Sequence, residues 1–101
     1  MPDEKRAAYQ ALVDRILDGP GETTADQRGH AFANAGVGPA LETLLGKVVT
    51  SPARITDADF DAARAADFGE NQLFELVIAS AVGHATRMYD AAITALEEAS
   101  S

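Results

Sequence analysis

The sequence predicts an all-α protein of about five helices that folds as a single domain over residues 1–101. Apolar residues recur at helical spacing along the chain, and no run alternates apolar and polar residues as a half-buried strand does. A length of 101 residues allows one domain. Hydrophobic residues make up 47% of the chain, but 21 of them are alanines, so few large side chains remain to build a core.

The first two helices are predicted from their caps and turns. Asp3 is a candidate N-cap for the first helix, which ends at residues 18–21 (DGPG) because glycine and proline break helical geometry. Thr24 and the glutamine three residues after it form a capping-box pattern for a second helix through Phe32, closed near Gly36. The apolar stripe of the first helix comprises Tyr9, Leu12, Val13, Ile16 and Leu17.

The third and fourth helices are bounded by prolines and a hydroxyl cap. Pro39 suits a first helical turn, where its missing N–H would have no intrahelical acceptor, and Ser51-Pro52 ends that helix. Thr56 is the cap of a short fourth helix that runs to about Ala66, with acids near the positive end of its dipole. The apolar positions of the third helix are Leu41, Leu44, Leu45, Val48 and Val49.

The last helix is predicted from about Glu70 to Glu98, without an internal proline. At 1.5 Å per residue it is roughly 40 Å long, longer than a domain of this size is wide. Residues 73–82 are apolar on nearly every face, and such a helix is normally buried all round. We therefore expect self-association, with the alternative that the four shorter helices wrap the long one within a single chain. The small residues that would let another helix approach are Ala79, Ala81, Gly83 and Ala85.

Charge and composition exclude several classes of function. Lys and Arg number 8 and Asp and Glu 16, which gives a net charge of −8; with the cations scattered, neither nucleic acid nor an anionic membrane surface is an expected partner. The absence of cysteine excludes disulfides, thiol peroxidase chemistry and cysteine-ligated zinc. The N-terminus lacks the features of a signal peptide and the apolar run 73–83 is too short to span a bilayer, so we expect a cytoplasmic protein.

Residues 55–60 (ITDADF) and 64–77 (RAADFGENQLFELV) lead into a long alanine-rich helix that carries Arg87. This segment, about residues 55–96, resembles the alkylhydroperoxidase D-like, or carboxymuconolactone decarboxylase-like, superfamily. The resemblance implies an all-α subunit that assembles into trimers or hexamers through its helices.

Redox members of that superfamily carry a C-x-x-C-x-x-x-H motif. Residues 77–84 have the same spacing, with valine and Ser80 at the two thiol positions and His84 at the last. A second alignment places residues 68–93 on the family's other long helix, where no cysteine pair is expected. Both alignments leave the chain without a thiol, so the family's peroxidase activity is not expected here.

One group of side chains on the last helix is a candidate catalytic site. At 100° per residue, Ser80, His84 and Arg87 lie within about 80° of one another. Arg87 could pair with the carboxylate of a small substrate and His84 could transfer a proton near neutral pH, since decarboxylase-type members of the family act on small carboxylated lactones. The alternative is a face that is solvated or contacts another subunit. The stripe expected to face the core lies opposite, at Ile78, Val82, Ala85, Tyr89 and Leu96.

Glu75 interrupts the apolar stretch and is a further candidate catalytic residue, because a buried acid needs a partner or a raised pKa. The alternative is an acid favoured by the helix dipole. No cofactor or metal is predicted, because the chain has two histidines and no cysteine. Asp57, Asp59 and Asp61 lack the glycine and glutamate that would follow in a calcium-binding loop.

These observations leave three hypotheses of function. The first is a homo-oligomeric protein of the alkylhydroperoxidase D-like group, without a thiol redox centre, that binds a small molecule or serves in assembly. The second is a cysteine-independent lyase or decarboxylase acting on a small carboxylate through His84 and Arg87. The third is an acidic helical adaptor that docks a basic partner protein.

Overall fold

The computed structural model describes residues 3–100, and over that range it confirms an all-helical fold without strands. A short 3₁₀ turn, Pro52–Arg54, joins the third and fourth helices. The long C-terminal helix is confirmed, and at 31 residues it extends slightly further than predicted. The five helices are α1 (Asp3–Asp18), α2 (Ala25–Ala33), α3 (Pro39–Thr50), α4 (Asp57–Ala65) and α5 (Glu70–Ser100).

The helix boundaries follow the local chemistry of the caps. The backbone N–H of Gln27 donates to Thr24 Oγ1 at 3.0 Å, and the N–H of Thr24 donates to Gln27 Oε1 at 2.9 Å, which confirms the capping box of α2. Asn34 ends α2 in the left-handed conformation with φ 53°, two residues before the predicted glycine. At the start of α4, the N–H of Thr56 donates to Asp59 Oδ2 at 2.9 Å. Asp3, the predicted N-cap of α1, instead lies within the helix, which the structure describes from Asp3 onward.

The core lies between α2, α3, α4 and the first half of α5. α2 makes the broadest contact with α5, and α3 packs against both α4 and α5. α1 lies at the edge of this core and contributes a single buried hydrophobic residue, Val13. The buried core cluster comprises Ala31, Leu41, Leu44, Leu45, Ala63, Leu73, Leu76 and Ala79.

Gly83 lets α2 and α5 touch. A Cβ built at Gly83 would overlap the backbone carbonyl of Phe32, so any larger residue at this position would drive the two helices apart. Ala79 and Ser80, which lie close to it on α5, are also small and fully buried. We call the buried side of α5 its inner face, and it comprises Leu73, Leu76, Ala79, Ser80 and Gly83.

The prediction of which side of α5 faces the core was wrong. Leu96 is 63% exposed, and Tyr89 and Ala85 are exposed as well, so three of the five residues of the predicted stripe face solvent. Within a single chain, residues 73–82 are not buried all round, since Phe74 is 66% exposed. The physical reason is that close packing against α2 requires small residues, so the core side is less hydrophobic than the opposite side.

α5 extends well beyond the core, as its length predicts. Thirty-one residues span about 46 Å, and the principal extents of the molecule are 51 × 29 × 21 Å. The radius of gyration is 15.2 Å, against about 13 Å for a compact domain of this length. Residues 94–100 are exposed on every side. Among the residues described, no helix is both long enough and apolar enough to cross a bilayer.

Candidate functional site

Ser80, His84 and Arg87 share one side of α5, as predicted, and that side is turned toward α2. Ser80 is fully buried, His84 is half-buried and Arg87 is exposed. Ser80 Oγ has no hydrogen-bond partner within the described part of the chain. The main cavities along residues 3–100 are lined by other side chains. The three candidates therefore lie at a packing contact between helices, outside these three cavities.

Arg87 caps the carboxyl end of α2. Its Nη1 donates to the carbonyl oxygen of Phe32 at 2.6 Å. Phe32 lies in the last turn of α2, where carbonyls lack intrahelical donors, so the guanidinium satisfies a group that would otherwise need water. The contact lies one helical turn beyond Gly83, so the two residues together hold the end of α2 on α5.

Glu75 anchors the loop between α1 and α2. Its carboxylate accepts hydrogen bonds from Thr23 Oγ1 at 2.5 Å, from the Thr23 N–H at 3.0 Å and from the Glu22 N–H at 2.8 Å. These bonds, led by the Thr23 hydroxyl and supported by the charge of Arg28, hold the pKa of Glu75 below its ordinary value. Glu75 lies beyond the first turn of α5, so these bonds rather than the helix dipole explain an acid here.

The same loop is also held by a residue of α2. Arg28 is buried, and its Nη1 donates to the carbonyl oxygen of Gly19 at 2.5 Å. Gly21 passes so close to Glu75 that an added Cβ would lie 2.6 Å from its Oε1. The loop is thus held by an acid from α5, Glu75, and a base from α2, Arg28. These contacts of Glu75 serve to hold this loop. Sequence reasoning missed Thr23 and Arg28 because their partners are distant in the chain.

A groove of about 420 Å³ lies between α1 and α5. Thr86 Oγ1 donates to the Val82 carbonyl at 2.8 Å, so the Tyr9 hydroxyl, 2.7 Å away, donates to Thr86. The Tyr9 and Tyr89 rings stack with centroids 6.2 Å apart. Arg6 and Asp90 add one charge of each sign to the lining. The groove depends on the packing of α1 against α5, which the spacing of residues along the chain does not reveal.

The exposed side of α5 carries a second, continuous feature, which we call its outer face. Its residues recur at intervals of 4, 3, 4, 3, 4, 3 and 4, and none is charged. Of its large side chains, Phe74 is 66% exposed, Met88 is 60% exposed and Ile78 is half-buried. The other five residues of the row are alanines, and all of them are exposed. Leu96, beside this row, is also exposed. The outer face comprises Phe74, Ile78, Ala81, Ala85, Met88, Ala92, Ala95 and Ala99.

No group of three or more His, Asp or Glu side chains in residues 3–100 is arranged to hold a metal ion. No protein-family model, curated protein or solved structure matches the chain. The resemblance to the alkylhydroperoxidase D-like superfamily stays a prediction. An all-helical fold hosts many functions, so the function of this chain depends on the side chains that the fold presents.

Proposed function

We propose that this chain is a homo-oligomeric helical assembly protein without a thiol redox centre and without peroxidase activity. The observation that carries the proposal is the outer face of α5, an uncharged row of apolar residues that runs beyond the core and that is exposed at every position except the half-buried Ile78. Exposed apolar surfaces of this length on small proteins mark interaction sites. The trimers or hexamers of the alkylhydroperoxidase D-like superfamily offer one model for such an assembly.

Most of the candidate catalytic residues are engaged in contacts within the fold, which favours assembly over catalysis. Arg87 donates to Phe32, Glu75 accepts three hydrogen bonds from the α1–α2 loop, and Ser80 is sealed between helices. A general acid or base needs access to a reacting atom, and these groups are committed to the fold. Like Ser80, His84 makes no hydrogen bond of this kind among the described residues, and it is half-buried.

Light scattering tests the proposal directly. We expect the purified chain to have a molar mass that is a multiple of 10.6 kDa at micromolar concentration and to dissociate on dilution. A mass of 10.6 kDa at every concentration up to the millimolar range would overturn the proposal and favour the acidic adaptor.

A second candidate function is the binding of a small carboxylate, favoured by the groove between α1 and α5. The groove combines two stacked tyrosines with Arg6, a cation that an aromatic carboxylate could pair with. The enzyme hypothesis places the same ligand class at His84 and Arg87 instead. The two sites differ in which arginine they use, so variants distinguish them.

A thermal-shift screen of aromatic and aliphatic carboxylates tests both sites, since a ligand that binds only the folded state raises the melting temperature. Stabilisation lost in Arg6→Gln but kept in Arg87→Gln would assign the groove. The reverse result would support the His84 and Arg87 site. No stabilisation by any compound at millimolar concentration would overturn both and leave assembly as the function.

A further inference from the structure

We infer that the outer face of α5 pairs with the outer face of α5 of a second copy, and that the two helices run antiparallel. The inference rests on the proposed self-assembly and specifies its interface. Its first support is the spacing of the outer face. Intervals of 4 and 3 residues average 3.5 residues, the repeat with which one helix keeps a single seam facing another over several heptads. The row from Phe74 to Ala99 sustains this repeat for more than three heptads.

Charge selects this face over the rest of the surface. The chain carries a net charge of −8, so two copies repel each other least when they meet at a surface that carries no charges. At 100° per residue, no charged residue of α5 between Phe74 and Ala99 lies within about 60° of the centre of the outer face. Its charged residues, such as Arg87, Asp90 and Glu97, lie on the sides turned away from it.

The area is sufficient for a second copy. From residue 74 to residue 99 the outer face is about 38 Å long, and a strip of 120° at the solvent-accessible surface, about 1.4 Å outside a helix of about 11 Å diameter, is about 14 Å wide. Each copy would therefore bury about 500 Å² and the pair about 1,000 Å², which reaches the lower bound for a specific protein interface. A short peptide would leave much of the outer face uncovered. The α5 helix of a second copy has the same length as this face and can cover all of it.

Side-chain size selects the antiparallel orientation. With a two-fold axis midway between residues 86 and 87, position n of one helix meets position 173 − n of the other. Phe74 then meets Ala99, Ile78 meets Ala95, and Met88 meets Ala85. Each large residue faces an alanine, and Ala81 faces Ala92, so the gap between the helices is nearly uniform. In a parallel pair Phe74 would face Phe74 and Ala81 would face Ala81, which separates the helices at some layers and leaves voids at others.

This orientation also opposes the two helix dipoles and places the two cores at opposite ends of the pair, because the inner face ends at Gly83, before the axis. A two-fold interface brings together an even number of copies. A dimer or a hexamer contains such pairs, and an isolated trimer does not.

Disulfide trapping tests the pairing, and the cysteine-free chain is a ready background for it. Chains carrying Ala81→Cys and chains carrying Ala92→Cys, one of them lengthened by a tag, are mixed and mildly oxidised. In the antiparallel pair these two positions face each other, so we expect their cross-linked heterodimer to form rapidly. The control is Ala81→Cys mixed with Ala91→Cys, a position one residue off the outer face, and we expect its cross-linking to be at least tenfold slower. Each single variant alone should stay uncross-linked, because its two cysteines would lie about 16 Å apart along the axis.

The outcomes separate this inference from the proposal on which it rests. Rapid cross-linking of Ala81→Cys with itself would show a parallel pair and overturn the inference. Oligomers by light scattering without the 81–92 cross-link would overturn the interface and leave self-assembly standing. A monomer in every experiment would overturn both.

A charge placed on the outer face gives an independent test. Ala85→Arg places two cations beside the axis of the pair, and we expect the concentration for half-dissociation to rise at least tenfold. Ala62→Arg makes the same change at an exposed position of α4 and should leave this concentration unchanged. Equal behaviour of the two variants would overturn the inference, provided that both show the wild-type helix content by circular dichroism.

Discussion

The inner and outer faces of α5 belong to the same helix and differ in how they use hydrophobic residues. The inner face is short and includes Ala79, Ser80 and Gly83, where α2 approaches to backbone contact. The outer face is longer, carries Phe74 and Met88, and is open to solvent. Hydrophobicity alone therefore points to the wrong side of this helix. The size of the residues shows where the chain packs on itself, and the repeat of large and small residues shows where a second surface is available.

The largest expected effect distinguishes two neighbouring positions of α5, one on each face. Leu76 is 1% exposed, and we expect Leu76→Ala to lower the free energy of unfolding by about 3 kcal/mol through lost burial and a cavity. Phe74→Ala removes a larger side chain, but Phe74 is 66% exposed. This substitution should therefore lower the free energy of unfolding of the dissociated chain by only about 0.5 kcal/mol. Urea denaturation at low and at high protein concentration measures both. Equal losses at low concentration would contradict the distinction between the two faces.

Glycine substitutions test the close approach of the inner face to α2. Gly83→Ala introduces a methyl group where the Phe32 carbonyl lies, and we expect a loss of about 2 kcal/mol from overpacking. Gly46→Ala in α3 is the matched control, because nothing lies within 4 Å of the added Cβ, and its better helix propensity should raise stability by about 0.8 kcal/mol. Thermal unfolding measures both changes. Opposite signs are expected, and a neutral Gly83→Ala would show that the helices are not in contact there.

Glu75→Gln tests the anchor of the α1–α2 loop. Replacing the carboxylate weakens three charge-assisted hydrogen bonds, and we expect a loss of about 1.5 kcal/mol at neutral pH. Because the folded-state pKa of Glu75 is lowered, its contribution is present above the unfolded-state pKa of about 4.3 and is lost as pH falls through the folded-state value.

Denaturation of the wild type and of Glu75→Gln from pH 7 to pH 3 measures this contribution. The difference in free energy of unfolding between the two proteins should be largest at neutral pH and should decrease as the pH falls below 4. Glu42→Gln, at an exposed position of α3, is the control and should change stability little at any pH. A gap that stays constant across this range would show that the Glu75 charge does not hold the loop.

The smallest expected effect concerns the unpartnered hydroxyl of the inner face. Ser80→Ala removes a buried Oγ without a hydrogen-bond partner among the described residues, and we expect a gain of about 1 kcal/mol. Thr86→Val is the contrasting case, because the Thr86 hydroxyl bonds both Val82 and Tyr9, and its loss should cost about 1 kcal/mol. Calorimetry of the two variants gives the sign of each change. Destabilisation by Ser80→Ala would indicate that Ser80 has a partner after all.

The sequence predicts the helices well because their boundaries depend on neighbouring residues. The Thr24 capping box and Pro39 at the first turn of α3 both appear where the local pattern places them. The candidate site is predicted less well, because its contacts join distant residues. Glu75 bonds Thr23 across 52 positions, and Arg87 bonds Phe32 across 55. Spacing along one helix indicates that Ser80, His84 and Arg87 share a side but not that α2 covers it.

The length of α5 has a hydrodynamic consequence. A molecule of 51 × 29 × 21 Å experiences more friction in water than a sphere of the same mass, so a single chain would elute from a gel-filtration column ahead of globular standards of 10.6 kDa. Two chains joined along α5 would double the mass while adding little to the longest dimension. The elution positions of one copy and two copies would therefore lie closer together than their masses imply, and diffusion and mass must be measured separately to tell them apart.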